Sequence, residues 1–272
     1  MFSTVAVVGA GTMGQGIAQL LIEAGLTVRL YDRSPKALSA AAAAVNRRLQ
    51  RKAPAEANVG TLYVAGTISQ LSDADLVIEA VPERLEIKQA VFAELDRCLP
   101  SAAILVSNTS GLDINLLAES TARVDRVLGM HFFPPPPRMP LIEIVPASTT
   151  DPAVLEAVHA FAVSLGKTPI TVANRPGFIV NRVLFVMIAE ALRIVEEGET
   201  SAEDVDRALC LGASHPIGPL ALADFIGLDV VLDILESLNS ALGSRYAPSS
   251  ALRDLVAQGY LGRKTRRGLF SY

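Results

Sequence analysis

Two hydrophobic patterns divide the chain. Over residues 4–173, short apolar runs alternate with longer segments in which apolar positions recur every three to four residues. The runs 4–8, 27–32, 76–81, 103–107, 127–130, 141–145 and 169–172 read as strands. The segments 14–24, 35–52, 86–98 and 151–165 read as helices, and the alanines at 40–44 suit the second of these. Such alternation predicts a mainly parallel sheet with helices on both faces, a doubly wound α/β domain. The pattern breaks at Ala173-Asn174-Arg175-Pro176-Gly177. Beyond it the strands stop, and 178–197, 201–211, 226–241 and 249–257 read as helices. The expected division is an α/β domain over 1–174 and an all-α domain over 175–272.

The segment 178–197 is apolar on most sides, with Phe178, Ile179, Val180, Val183, Leu184, Phe185, Val186, Met187 and Ile188. A helix of this kind belongs in a domain core or in a subunit interface. The second alternative predicts a homodimer through the helical domain.

The first strand runs into Gly9-Ala10-Gly11-Thr12-Met13-Gly14, which opens a helix, and the second strand ends at Asp32. Gly9 permits a tight turn, Gly11 lets backbone approach a pyrophosphate, and Gly14 allows close helix packing. The helix N-terminus favours phosphate charge. Asp32, eighteen residues after Gly14, is placed to accept from both ribose hydroxyls. The glycines alone are a weak signal. Strand, helix and acid in register predict a Rossmann-like dinucleotide site. Asp32 repels a 2′-phosphate, which favours NAD over NADP. Arg33 is read as a solvated loop residue.

Composition narrows the class. The 272 residues are 50% hydrophobic and 19% charged, with a net charge of −4, which describes an ordinary globular enzyme-sized chain and gives no support for nucleic-acid binding. Cys98 and Cys210 lie far apart in apolar helical contexts and read as buried thiols of a reducing compartment, with neither a disulfide framework nor metal spacing. With no secretion signal and no apolar run of membrane-spanning length, the expected location is the cytoplasm, with no membrane partner.

His131 ends an apolar run and enters the proline tract 134–137. Glu143 lies in the next run, between Ile142 and Ile144. A carboxylate there is costly to bury unless it is paired, and a histidine partner accounts for it. Histidine suits general-base work near neutral pH, and a carboxylate on its other ring nitrogen would fix the tautomer. Taken singly, each residue also fits a packed histidine or a solvent-facing glutamate. His159 and His215 read as structural.

With these residues the chain resembles the short-chain L-3-hydroxyacyl-CoA dehydrogenases of the 3-hydroxybutyryl-CoA dehydrogenase type. The resemblance runs from Val5 to Tyr272 and is strongest at 8–17, 108–110, 129–133, 176–182, 215–222, 226–229 and 261–265. It implies an NAD-dependent interconversion of a short 3-hydroxyacyl thioester and its 3-oxoacyl form. His131 would be the general base, Glu143 its orienting partner, and Ser110 a ligand of the substrate oxygen beside the nicotinamide. Asn181 would complete the polar set. Asn108, Glu83, Lys88 and Lys264 would meet the cofactor.

Three features depart from the family. Pro134 and Pro140 stand where asparagine and lysine are usual. The segment 53–60 is short where members carry a longer helical arm. Arg47, Arg48, Arg51 and Lys52 remain as a basic cluster, read either as a solvated helix face or as a cradle for CoA phosphates or an acidic carrier protein. The reaction class is therefore expected more firmly than the handle, which is CoA, an acyl carrier protein, or none, as in gulonate- or carnitine-type dehydrogenases. A non-catalytic NAD-binding protein of the same fold is the reading from another class.

Overall fold

Residues 2–52 and 60–272 are described by the structure, a computed structural model. The chain divides into two units, Met1–Arg175 and Pro176–Tyr272. In the first unit the order is β1 (Thr4–Val8), α1 (Thr12–Glu23), β2 (Thr27–Tyr31), α2 (Pro35–Lys52), β3 (Leu62–Ala65), β4 (Leu76–Glu79) and α3 (Leu85–Cys98). Then come β5 (Ile104–Ser107), α4 (Ile114–Ala118), β6 (Val127–Phe132), β7 (Leu141–Pro146), α5 (Pro152–Ser164) and β8 (Thr168–Thr171).

Among the described residues these strands form one eight-stranded sheet in the order β3-β2-β1-β4-β5-β6-β7-β8. All neighbours pair in parallel except β6 and β7. The order reverses between β1 and β4, and in open α/β sheets the crevice at the carboxyl ends of such strands is where ligands bind. Strand alternation sorts the side chains by face. Val5, Val7, Ile78, Val106, Met130, Phe132, Ile142 and Ile144 share one apolar cluster with α1, α2 and α5. The intervening residues Val8, Glu79, Ser107, Gly129, His131 and Glu143 fall on the opposite face. There Ile114 of α4 packs where Gly129 has no side chain: a Cβ on Gly129 would lie 3.0 Å from Ile114 Cδ1.

The sequence reading missed β3 and α4. β3 is a four-residue edge strand, Leu-Tyr-Val-Ala, with Tyr63 and Val64 about half exposed. α4 has five residues, and its one sequence signal is Asp113, whose side chain accepts from Asn115 N–H as a cap.

The second unit comprises α6 (Val180–Glu196), α7 (Ala202–Gly212), α8 (Pro219–Ile226), α9 (Leu228–Leu242) and α10 (Ser250–Ala257) around a core of its own. α8, which the sequence reading also missed, starts with Pro219 at its first turn, a favoured position. Segment 178–197, expected in a domain core or a subunit interface, is buried along one side by its own unit. Phe185, Ile188, Ala189 and Leu192 are buried, but Val183 is 62% exposed, because α7, α8 and α9 cover only one side of α6. Cys98 and Cys210 are free, as expected, but half-buried rather than buried. His159 is exposed on α5 and His215 half-buried, so neither is a packed core histidine. Among the described residues no helix is long and apolar enough to cross a membrane.

Candidate active site

The glycine turn is built as its spacing requires. Gly9 has φ +106°, and a Cβ there would lie 2.5 Å from the Ala80 carbonyl oxygen. A Cβ on Gly14 would lie 1.8 Å from the Gly9 carbonyl oxygen. Gly11 differs: its φ is −68°, and a Cβ would meet no protein atom within 4 Å. Packing inside the chain therefore does not require glycine at 11, whereas close approach of a ligand to the backbone does. Asp32 anchors the turn from β2, its two carboxylate oxygens accepting Ala10 N–H and Ser34 N–H, each at 2.8 Å. Each oxygen keeps acceptor capacity for a ribose hydroxyl. Beside it opens a cavity of about 460 Å³ between Gly9, Arg33, Ile68, Pro82, Ile87 and Val91. Turn, acid and apolar slot fit an adenine dinucleotide. Thr12 and Met13 form the first turn of α1, whose N-terminus faces the same crevice end of β1.

His131 and Glu143 are direct partners in the β6–β7 ladder. Nδ1 of His131 lies 2.8 Å from Oε2 of Glu143, and both side chains are buried. An ionised carboxylate only accepts, so it assigns the hydrogen to Nδ1 and leaves Nε2 basic. The ring also packs on Phe133 at 4.5 Å between centroids.

The turn after β5 sits beside them. Asn108 Oδ1 accepts the Phe132 N–H at 2.9 Å, tying this turn to the strand of His131. Glu83 Oε1 accepts the Ser110 N–H at 2.7 Å and the Thr109 hydroxyl at 2.6 Å. Lys88 is almost fully buried, its ammonium 2.7 Å from Glu79 and 3.3 Å from Glu83. Of the four further residues expected at the cofactor, Glu83 is thus accessible and Lys88 lies behind it. Burial pushes the Glu79 carboxyl above the ordinary carboxylate value, and Lys88, the Ser107 hydroxyl and the Val81 N–H act against that shift.

Two family models match end to end: 3-hydroxyacyl-CoA dehydrogenase, NAD binding domain, over residues 4–175, and the C-terminal domain of the same enzyme over 177–272. The chain belongs to the 3-hydroxyacyl-CoA dehydrogenase family. It is an NAD-dependent oxidoreductase, and NAD is its cofactor. It is 43% identical to the probable 3-hydroxybutyryl-CoA dehydrogenase of Bacillus subtilis, over 98% of this chain and 96% of that one. Among solved structures it matches FadB2 of M. tuberculosis (TM-score 0.95, 38% identity, 100% of this chain and 99% of that one). It also matches the (S)-3-hydroxybutyryl-CoA dehydrogenase PaaH1 of Ralstonia eutropha (TM-score 0.94, 42% identity, 100% and 99%).

Within this 3-hydroxyacyl-CoA dehydrogenase the departures have a visible setting. Pro136 is buried against α1, where a Cβ on Gly16 would lie 2.6 Å from the proline ring. Lys167, unremarked in the sequence, donates to the carbonyls of Pro136 (2.7 Å) and Met139 (2.9 Å) and so holds the tract from its inner side. Arg48 and Arg138 line a cavity of about 410 Å³ with Pro134–Pro137, Thr12 and Gln19. Arg47 and Arg51 are exposed on α2. The Lys52 side chain and residues 53–59, the shortened arm, lie outside the described residues. In the second unit Asn181 is half-buried in the first turn of α6, and Lys264 is ion-paired with Asp229.

Proposed function

We propose that this chain interconverts a short-chain (S)-3-hydroxyacyl-CoA, such as 3-hydroxybutyryl-CoA, and its 3-oxoacyl-CoA, with His131 as acid–base and Glu143 as its orienting partner. The buried 2.8 Å contact between His131 Nδ1 and Glu143 Oε2 carries this reading. NAD, when bound, supplies the hydride acceptor for the C3 hydrogen. His131 Nε2 takes the proton of the C3 hydroxyl, and Glu143 stabilises the imidazolium that forms. In the reverse direction the imidazolium returns that proton to the oxygen of the reduced ketone. Ser110 donates to the same oxygen, and Asn181 completes the polar set around the substrate.

Gly9, Gly11, Thr12, Met13, Gly14 and Asp32 hold the dinucleotide, with Asn108, Glu83 and Lys264 as its further neighbours and Lys88 acting from behind Glu83. Arg48 and Arg51 receive the CoA phosphates. The names of the relatives support CoA as the handle. The active form is a homodimer through the helical unit, in the cytoplasm.

The test is NADH oxidation with acetoacetyl-CoA, acetoacetyl-acyl carrier protein and free 3-oxo acids side by side. Turnover of the CoA thioester with the highest kcat/KM is expected. Preference for the carrier-protein thioester or the free acid would move the substrate to that handle, and turnover of none would overturn the reading.

A further inference from the structure

Glu79 and Lys88 form an ion pair that the proton chemistry of His131 does not use. Both side chains are 1% exposed. Burying two charges carries a desolvation cost of several kcal/mol per ion, and apolar replacements of such pairs are often no less stable, so packing alone is a poor reason for this one. Its neighbours supply a better one. Glu79 lies in a row across the sheet, paired with Ser107, which is paired in turn with Gly129, two residues before His131 on the same face. Glu79 Oε2 accepts the Ser107 hydroxyl at 2.6 Å, and Ser107 Oγ accepts the Thr109 N–H at 3.2 Å. On the other side, the Lys88 ammonium lies 3.3 Å from Glu83 Oε2, while Glu83 Oε1 holds the Thr109 hydroxyl and the Ser110 N–H.

We propose that Glu79 and Lys88 are positioning residues that set the Asn108-Thr109-Ser110 turn from two directions, through Ser107 and through Glu83. Glu83 is 44% exposed and is held in place by the ammonium beneath it. The pair thereby fixes where Ser110 stands relative to the His131 strand, to which Asn108 already ties the turn. The inference rests on the placing of Ser110 at the substrate oxygen. Ser110→Ala tests that placing by itself, because the clamp has its own readout in hydrogen exchange at the Thr109 and Ser110 amides.

The experiment compares Glu79→Gln, Lys88→Met, the double variant and Ser107→Ala in melting temperature, amide exchange over 107–111, NADH affinity, kcat and KM. Lys88→Met is expected to lower the melting temperature by leaving the buried Glu79 without its cation, Glu79→Gln to lower it less because Glu83 still pairs Lys88, and the double variant to regain what Lys88→Met loses. The double variant is nevertheless expected to exchange faster at Thr109 and Ser110 and to lose kcat by about 10–100-fold, the scale of an ångström-level misplacement. NADH affinity is read in Ser107→Ala, which replaces no neighbour of the cofactor, and should stay near the parent's there. Ser107→Ala, which leaves both charges paired, is expected to raise exchange at Thr109 and lower kcat with a smaller fall in melting temperature than Lys88→Met. Parental exchange and kcat in the double variant or, should that variant not fold, in Ser107→Ala, would overturn the proposal.

Discussion

His131 and Glu143 stand directly opposite each other across the antiparallel pair β6–β7, and their side chains meet at 2.8 Å. The register alone produces this. Phe132 and Ile142 are opposite in the next row, and their side chains turn into the apolar core with α1 and α5. One step of slip in the ladder would send the histidine and the carboxylate to different faces. The pair is therefore held by two strands and not by a mobile loop, which suits a base that must meet its proton in one geometry.

His131→Ala should lower kcat by about 10²–10⁴-fold, the usual worth of a positioned general base. Glu143→Gln should also lower kcat, because a neutral amide neither fixes the tautomer nor stabilises the imidazolium. NADH affinity, read by fluorescence titration, should change little in either. A parallel loss of NADH binding would assign the pair to the fold instead.

The sequence carried the parts of this site that recur at fixed spacing. The glycine turn and Asp32 are local signals tied to one strand–helix–strand unit, and Glu143 betrayed itself as a charge between two isoleucines. Glu79 sends the same kind of signal, a carboxylate after Leu76-Val77-Ile78, yet its partner Lys88 lies on α3, and only packing reveals the pair. Lys167 was invisible for a similar reason: its acceptors are backbone carbonyls about thirty residues away in the chain. The short α4 escaped because five residues are too few to show a helical period.

The two glycines of the dinucleotide turn should separate in their effects. Gly14→Ala places a methyl group against the Gly9 carbonyl and should destabilise the fold by about 1–3 kcal/mol, the cost of overpacking. Gly11→Ala meets no protein atom and should leave the melting temperature unchanged while weakening NADH binding. Asp32→Ala should weaken NADH binding and reduce discrimination against NADPH. Thermal melts with matched titrations decide all three.

Acid should loosen the first unit through Asp96. Burial works against its ionisation, but the Ala122 N–H and the Arg123 guanidinium outweigh it and hold the carboxyl below the ordinary carboxylate value. A depressed value in the folded state means stability that is complete above the unfolded value, about pH 4, and is lost as pH falls through the folded one. Asp96→Asn should cost about 2 kcal/mol at neutral pH and flatten the decline of the melting temperature below pH 4. An unchanged acid slope in that variant would place the sensitive carboxylates elsewhere.

The partly exposed side of α6 bears on assembly. Val183 is 62% exposed, and Val186, Met187 and Ile194 follow it on the same helix face at spacings of three, four and eleven residues. With Val205, Leu209 and Pro219, the last three of these line a cavity of about 370 Å³ that is apolar apart from Glu190. An apolar surface of this kind, opposite a well-packed core face, fits the second copy proposed above. Light scattering should give the mass of a dimer for the parent. Val183→Asp should give a monomer with its melting temperature lowered in a concentration-independent way, because the subunit contact that stabilises the folded state by mass action is gone. A monomeric parent at working concentration would refute the dimer.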